Sequence, residues 1–349
     1  MIIYNKKIGL KHSPYIIAEM SGNHNKSLDR ALKIVDAAAK SGAHALKLQT
    51  FTADTITLNV DKEDFFIGDK DSLWKGKNLY ELYNEAHTPW DWHAAIIKYS
   101  NELGMACFSS PFDESAVDFL EELNVPAYKI ASFENNHLPL IKKVASTGKP
   151  VIISTGMATV AEIDEAVTAA RESGCKDLIL LKCTSNYPAI PEDSNVLTIP
   201  HMRELFNCEV GLSDHTMGIG VPIASVAHGA TVIEKHFTLD RSDGGVDSVF
   251  SIEPRELELL TVEANRAWQS LGRVHYGGTK NEEKSKTFKR SLYIAEDVSK
   301  GEALTKDNLR IVRPGMGLPP KYYEELLGKK VRIKVRKGTA LNWDMLFKQ

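Results

Sequence analysis

Short apolar runs and amphipathic stretches alternate regularly along the first three quarters of the chain. The runs occupy 15–22 (YIIAEMSG), 43–50 (AHALKLQT), 105–112, 127–134, 150–156, 178–185, 208–215 and 231–238. Each is bounded by turn residues and has the length of a buried strand. Between them apolar residues recur with helical period. Leu28, Ala31, Leu32, Val35 and Ala38 share one stripe of a helix over 28–40, and 90–101, 115–123 and 159–172 read the same way. Asp113 and Thr159 stand where helix N-caps belong. Eight strand–helix units in about 270 residues match a (β/α)8 TIM barrel in count and size. An open, doubly wound sheet is the competitor, because local periodicity does not report closure.

The polar positions favour the barrel. Strand after strand is apolar in its first half and polar at its end: Glu19, Lys47 with Gln49, Ser110, Ser132 with Glu134, Ser154, Ser185, His215, His236. In a barrel all eight carboxyl ends open onto one face, where sites are built. In an open sheet they are strung along an edge, with a cleft only at the switch point.

The connection 51–89 is long and rich in charged and aromatic residues, among them Phe65, Phe66 and Trp74, with a short helix expected at 79–83. A loop of that length on the active face points to a lid or specificity loop. A helix over 255–271 follows the eighth unit and closes a barrel domain at 1–272. Periodicity then lapses over 273–287, the mark of a linker. Beyond it, KGEALTKDNL (300–309) and KGTALNWDML (337–346) repeat the pattern KGxALxxDxL after two β-rich stretches. Residues 288–349 therefore read as a small, pseudo-symmetric, β-rich domain.

Composition narrows the function. The formal net charge of -3 gives no electrostatic case for nucleic acid or a membrane surface. Four scattered cysteines without a CxxC ask for no oxidising compartment. The first twenty residues show no cleavable apolar region, and no apolar run reaches membrane-spanning length. A cytoplasmic protein is expected.

Gathered at one face, the strand ends make a chemical inventory. Lys47 and Lys129 supply positive charge; Ser110, Ser132, Ser154, Ser185 and Ser213 supply hydroxyl donors. That set suits a phosphate and a carboxylate on one small anion. Glu134 and Glu19 offer acid–base or orienting carboxylates. His215 and His236, at the ends of successive strands, can hold a divalent metal with positions left open, a Lewis acid for a carbonyl. The implied reaction joins a phospho-anion to an aldehyde. A metallohydrolase would want more ligands, such as an HxH on the first strand, where only His24 is available. An NAD-dependent reductase would want GxGxxG, and Gly218-Ile-Gly220 lacks the third glycine. A carbohydrate-binding protein on an inactive barrel is the reading from another class.

The motifs IIAEMSGNHN, ALKLQTF, FSSPFD, YKIASFE, ISTGMA, LKCTSNYP, GLSDHTMG and IEKHFTLD, in this order, resemble the bacterial sialic acid synthase family over essentially the whole chain. The C-terminal KRSLYIA and VRPGMGL resemble its antifreeze-like (SAF) domain. The resemblance implies condensation of phosphoenolpyruvate with an open-chain N-acetylated aminosugar to give a nine-carbon 2-keto acid, phosphate leaving by C–O cleavage. It implies His215 and His236 as ligands of Mn2+ or Mg2+. Lys47, Ser110, Lys129, Ser132, Ser154, Ser185 and Ser213 match the phosphoenolpyruvate contacts. Gln49, Glu134, Tyr187, Asp247 and Arg313 match the sugar contacts, with Glu134 also a proton carrier and Glu19 close to the metal. Ser110 stands where Thr can occur, and Ser185 where the neuraminate enzymes have Asn. Lys129 and Ser132, three apart, would face opposite sides of an ideal strand, so the fourth strand must bend or end early. The long loop looks most like that of the pseudaminic acid synthases, whose substrate is a 2,4-diacetamido-2,4,6-trideoxy sugar; Phe65, Phe66 and Trp74 suit its methyl and acetamido groups. The charged linker of about fifteen residues spans on the order of 20 Å as a flexible coil, and Arg313 stands before Pro314 and Gly315 in a stiff turn, so a domain-swapped homodimer in which Arg313 reaches the other subunit's site is expected.

Overall fold

The computed structural model describes residues 1–68 and 73–347; the part of the long loop at 69–72 and the last two residues lie outside the described residues. The chain divides into two units, Met1–Gly272 and Arg273–Gln349.

The first unit is the closed parallel barrel. Its strands are β1 (Tyr15–Glu19), β2 (Ala45–Thr50), β3 (Ala106–Pro111), β4 (Tyr128–Ile130), β5 (Val151–Ser154), β6 (Leu178–Cys183), β7 (Glu209–Asp214) and β8 (Val232–His236). They pair in sequence order, and β8 returns to β1. Closure explains why the strands read as near-continuous apolar runs: one face meets the helices and the other the interior. The core on the helix side is aliphatic, with Ile16, Leu46, Ile130, Ile153, Leu180 and Ile233 all buried.

Local signals set the helices. Leu28–Lys40 starts at Ser27, whose hydroxyl accepts from the Arg30 N–H. Asp113 caps Glu114–Glu122, and Thr159 caps Val160–Glu172 in a reciprocal box with Glu162. Trp90–Glu102 and Pro254–Leu271 fall within two residues of their expected bounds. The short helix in the long loop runs further than expected, over Leu79–Ala86, capped by Asn78. β4 stops at Ile130, so Ser132 lies beyond the strand and is free to turn inward.

The second unit corrects one expectation. The stretch read as an aperiodic linker, 273–287, carries most of a 3-10 helix at Lys280–Phe288. The overlooked signal is Thr279 with Glu282, whose carboxylate accepts from the Thr279 N–H at 2.8 Å and its hydroxyl at 2.7 Å. Ser291–Ile294 and Leu309–Val312 form a two-stranded antiparallel ladder, and isolated bridges do the remaining pairing. The internal repeat is a spatial two-fold. Val298 and Val335 exchange both backbone hydrogen bonds; Ile294 donates to Thr339 as Val331 donates to Glu302; Gly338 donates to Ile294 as Gly301 donates to Val331. Leu304 and Leu341, the same position in each copy, are both buried in the unit's own core.

Candidate active site

The barrel interior at the carboxyl ends is charged. Strand alternation aims Glu19, Lys47, Ser110, Lys129, Ser154, Ser213, Glu234 and His236 inward, and contacts across the barrel confirm it. Glu234 on β8 reaches Lys129 on the opposite strand β4, with Oε1 3.3 Å from Nζ, and its Oε2 lies 4.0 Å from the Lys47 Nζ. Glu19 pairs with Lys47 at 2.5 Å. All four side chains are buried, a quartet of two carboxylates and two ammoniums.

Hydroxyls surround the ammoniums. Lys129 donates to Ser154 at 2.7 Å and Lys47 to Ser110 at 3.3 Å, while Ser213 donates to Glu234 at 3.0 Å. Ser185 donates to Ser132 at 2.9 Å. Gly156, which turns the chain out of β5 at φ +49°, sits against that pair: a Cβ there would lie 2.7 Å from the Ser132 Cβ and 2.8 Å from the Ser185 Oγ. Of the residues matched to the anion, Ser154 and Ser110 thus sit on the two lysines and Ser213 on their carboxylate partner, while Ser132 and Ser185 pair with each other. Gln49 donates to Glu19 at 3.1 Å.

Burial tunes the carboxyls apart. It pushes Glu134 up to about 7, and Glu134 Oε2 has no hydrogen-bond partner. Burial also pushes Glu19 up to about 7, Lys47 opposing and Glu234 adding. Glu234 is held below the usual carboxylate value: burial works against this, and Lys129 and Lys47 prevail. Burial lowers Lys129, whereas for Lys47 the two carboxylates outweigh it and raise the value. Glu234 is therefore the fixed negative charge, and Glu19 and Glu134 are the exchangeable ones.

The histidines stand above this floor, with 5.3 Å between ring centroids. The His215 Nδ1 bonds the Thr184 carbonyl at 2.8 Å, which assigns a proton there; burial works to lower this imidazole, but Cys183, the Thr184 carbonyl and Asp214 prevail and hold it above its ordinary value. His236 Nδ1 is buried without a hydrogen-bond partner, 3.8 Å from Asp247 Oδ2. Burial foremost, then the neighbouring His215 and lysines, hold His236 well below the ordinary imidazole value, so it is neutral and able to ligate. Two imidazoles, one oriented by a backbone carbonyl and one neutral with an orphaned nitrogen, fit a divalent ion once His215 gives up its extra proton. Among the described residues no group of three His, Cys, Asp or Glu is arranged to hold a metal.

The residues matched to the sugar divide. The Tyr187 ring lies 4.4 Å from that of His215, tilted by 47°, and Asp247 accepts from Ser21 beside His236. Arg313 belongs to the second unit, where it is exposed and, among the described residues, has no ion-pair partner. Of the three loop aromatics, Trp74 reaches Tyr187, while Phe66 bridges Asn78 within its own loop and Phe65 ends a 3-10 turn. Sequence reasoning left Glu234 out of the site. Its signal was parity: it lies two residues before His236, so the two side chains share one face of the strand. Cys183, inward by the same parity on β6, was missed likewise; its thiol is held below the usual value, the His215 ring and Lys129 outweighing burial.

The NeuB family model matches residues 34–276, and the SAF domain model matches 289–346. The chain is 46% identical over 327 residues to a pseudaminic acid synthase of Campylobacter jejuni, covering 94% of this chain and 95% of the relative. It is 36% identical over 345 residues to an N,N'-diacetyllegionaminic acid synthase of Legionella pneumophila, covering 97% and 96%. Among solved structures it resembles an N-acetylneuraminic acid synthetase from Leptospira borgpetersenii in complex with citrate, with a TM-score of 0.71 and 32% identity over 82% of this chain and 94% of that one.

Proposed function

The chain belongs to the NeuB family, and on that premise we propose that it is a transferase joining phosphoenolpyruvate to an open-chain 2,4-diacetamido-2,4,6-trideoxy-altrose, the activity of a pseudaminic acid synthase. The observation that carries the reading is the pairing of a two-lysine, serine-lined cradle with two imidazoles at one barrel mouth. The choice of sugar rests on 46% identity to a pseudaminic acid synthase against 36% to a legionaminic acid synthase.

The residues divide the work. Lys47 and Lys129, with Ser110, Ser132, Ser154, Ser185 and Ser213, bind the phosphate and carboxylate and fix the enol carbon toward the sugar. Gln49, Tyr187 and Asp247 orient the sugar. His215 and His236 would hold a divalent ion, Mn2+ or Mg2+, which would supply a Lewis acid for the aldehyde. C3 of the enolpyruvate bonds to the aldehyde carbon, water adds at C2, and the C2–O bond to phosphate breaks. One proton of that water ends on the new alcohol and the other leaves with phosphate. Glu134 and Glu19, titrating near 7, are the side chains able to carry them.

Arg313 joins the site from a second copy in a domain-swapped homodimer. Charge supports this: 1–272 holds twenty-five Lys and Arg against thirty-seven Asp and Glu, whereas 273–349 holds eighteen against nine. Exposed Met157, Met217 and Val249 on the βα loops, and exposed Met316 three residues after Arg313, give both surfaces apolar area to cover. The reading sets the enzyme in the cytoplasm, where phosphoenolpyruvate is made; among the described residues no helix is long and apolar enough to cross a membrane.

Phosphate release from phosphoenolpyruvate with Mn2+, measured against the altrose and against the neuraminic and legionaminic precursors, tests the reading. The altrose is expected to react fastest. A clear preference for N-acetylmannosamine contradicts the substrate, and no release with any sugar contradicts the reaction.

A further inference from the structure

The cradle and the imidazoles account for the reacting end of the sugar. Two further rings lie against Tyr187, and no step above uses them. Trp74 lies 6.0 Å from the Tyr187 ring and Phe133 6.5 Å from it, centroid to centroid. Three separate loops, after β2, β4 and β6, bring these rings together. The Trp74 indole N–H donates to the Val246 carbonyl at 3.1 Å, beside Asp247. That bond ties the indole to the loop that carries Asp247 and occupies its one donor. Phe133 is 55% exposed, whereas the next residue, Glu134, is largely buried with an unpartnered oxygen. A benzyl ring held in water at the lip of a polar site, sharing a tyrosine with an anchored indole, presents apolar area to whatever enters.

We infer that Trp74 and Phe133 form the wall that reads the substituents of the sugar remote from its aldehyde. The inference rests on the reading above and deepens it. Against such rings a methyl or an acetamido methyl loses water at no polar cost. A hydroxyl in the same place is desolvated without a partner. A wall of this kind discriminates by roughly 10- to 200-fold, the range typical of apolar pockets separating substrates that differ by one small group. Of the loop aromatics expected to do this, Trp74 takes part; Phe133, from another loop, replaces Phe65 and Phe66.

The test is kcat/KM of the full-length, Mn2+-supplied enzyme for the trideoxy-diacetamido altrose and for N-acetylmannosamine, in Phe133→Ala, Phe133→Leu, Trp74→Ala and Trp74→Phe. The Ala variants should narrow the ratio of the two sugars about tenfold, through the sugar KM, with the phosphoenolpyruvate KM unchanged. Phe133→Leu and Trp74→Phe, which keep apolar area, should retain most of the ratio. If both sugars fall together, or the phosphoenolpyruvate KM moves with them, the rings serve the fold and the inference is overturned. The wild-type ratio tests the substrate reading separately. Should N-acetylmannosamine be preferred, that reading fails, and a ratio still shifted by the Ala variants keeps the wall while an unshifted one removes it.

Discussion

Within 1–272 the chain buries Glu19, Lys47, Lys129 and Glu234 around one space, whereas among the described residues of the second unit no Asp, Glu, Lys or Arg is buried. That unit closes its core with Leu292, Val298, Leu304, Val331, Val335 and Leu341 and satisfies its backbone in two-fold related pairs. Burying an ion costs several kcal/mol before pairing offsets it, and the small unit folds without that cost. The barrel also contains a control. Lys235 and Asp214, one residue out of phase with the quartet, pair at 2.6 Å, and Thr216 satisfies both: its carbonyl accepts from Lys235 and its hydroxyl donates to Asp214. The inner group is not so complete, because Glu234 Oε2 and Glu134 Oε2 lack hydrogen-bond partners. A pair built for the fold is saturated; a group left with spare acceptors is set for a ligand.

The largest effect that separates the two units lies in activity. His215→Ala in the barrel and Arg313→Ala in the small unit should each lower phosphate release by at least about 10²–10³-fold. If copies exchange small units, mixing the two variants should restore roughly a quarter of the sites, because half the dimers are mixed and each has one intact pair. No recovery after verified subunit exchange would confine Arg313 to its own chain or remove it from the site.

A smaller effect is the pH dependence of the barrel's stability. Burial holds the folded-state value of Glu134, about 7, above its ordinary 4.5. Its contribution is present below pH 4.5 and is lost as pH rises through 7. Glu134→Gln should therefore be more stable than wild type at pH 8, by about 1–3 kcal/mol, and the two should converge near pH 4 in urea titrations. Turnover should nevertheless fall by about 10²–10⁴-fold. Equal pH dependence in both proteins would contradict the burial argument.

The smallest expected effect is a difference close to zero. Leu304→Ala and Leu341→Ala each should cost about 2–4 kcal/mol, read by denaturant unfolding, and differ by less than about 1 kcal/mol. Strongly unequal costs would show that the two-fold extends to the backbone and not to the packing.

How much was legible follows from the same contrast. Local periodicity and capping residues carried five of the barrel helices but not those at Leu138–Ala145, Thr198–Phe206 and Gly220–Ala227, and the polar ends of the strands pointed to closure. The repeat KGxALxxDxL foretold the two-fold but not its form, because pairing through isolated bridges leaves no run of alternation to read. The 3-10 helix at Lys280–Phe288 was missed where charge concealed the Thr279–Glu282 cap. At the site, residues on strand ends were found from position alone. Glu234 was passed over because a glutamate next to Lys235 in sequence gives no sign that its partners are Lys47 and Lys129 from other strands. Phe133 reads in sequence as an ordinary strand-end aromatic; only the tertiary meeting with Trp74 and Tyr187 gives it a role.

The central claim, that the barrel's inner charges serve a ligand and not the fold, is tested most directly by replacing one pair whole. Lys129→Met with Glu234→Leu removes the cross-barrel ion pair and leaves Lys47 with Glu19. Thermal unfolding and phosphate release should be measured on the same preparation. The account predicts an unfolding midpoint equal to or above that of wild type, since apolar replacement of a buried pair is often neutral or stabilising by about 1–4 kcal/mol, together with loss of phosphate release. A protein that unfolds several degrees earlier, or one that keeps its turnover, would contradict it.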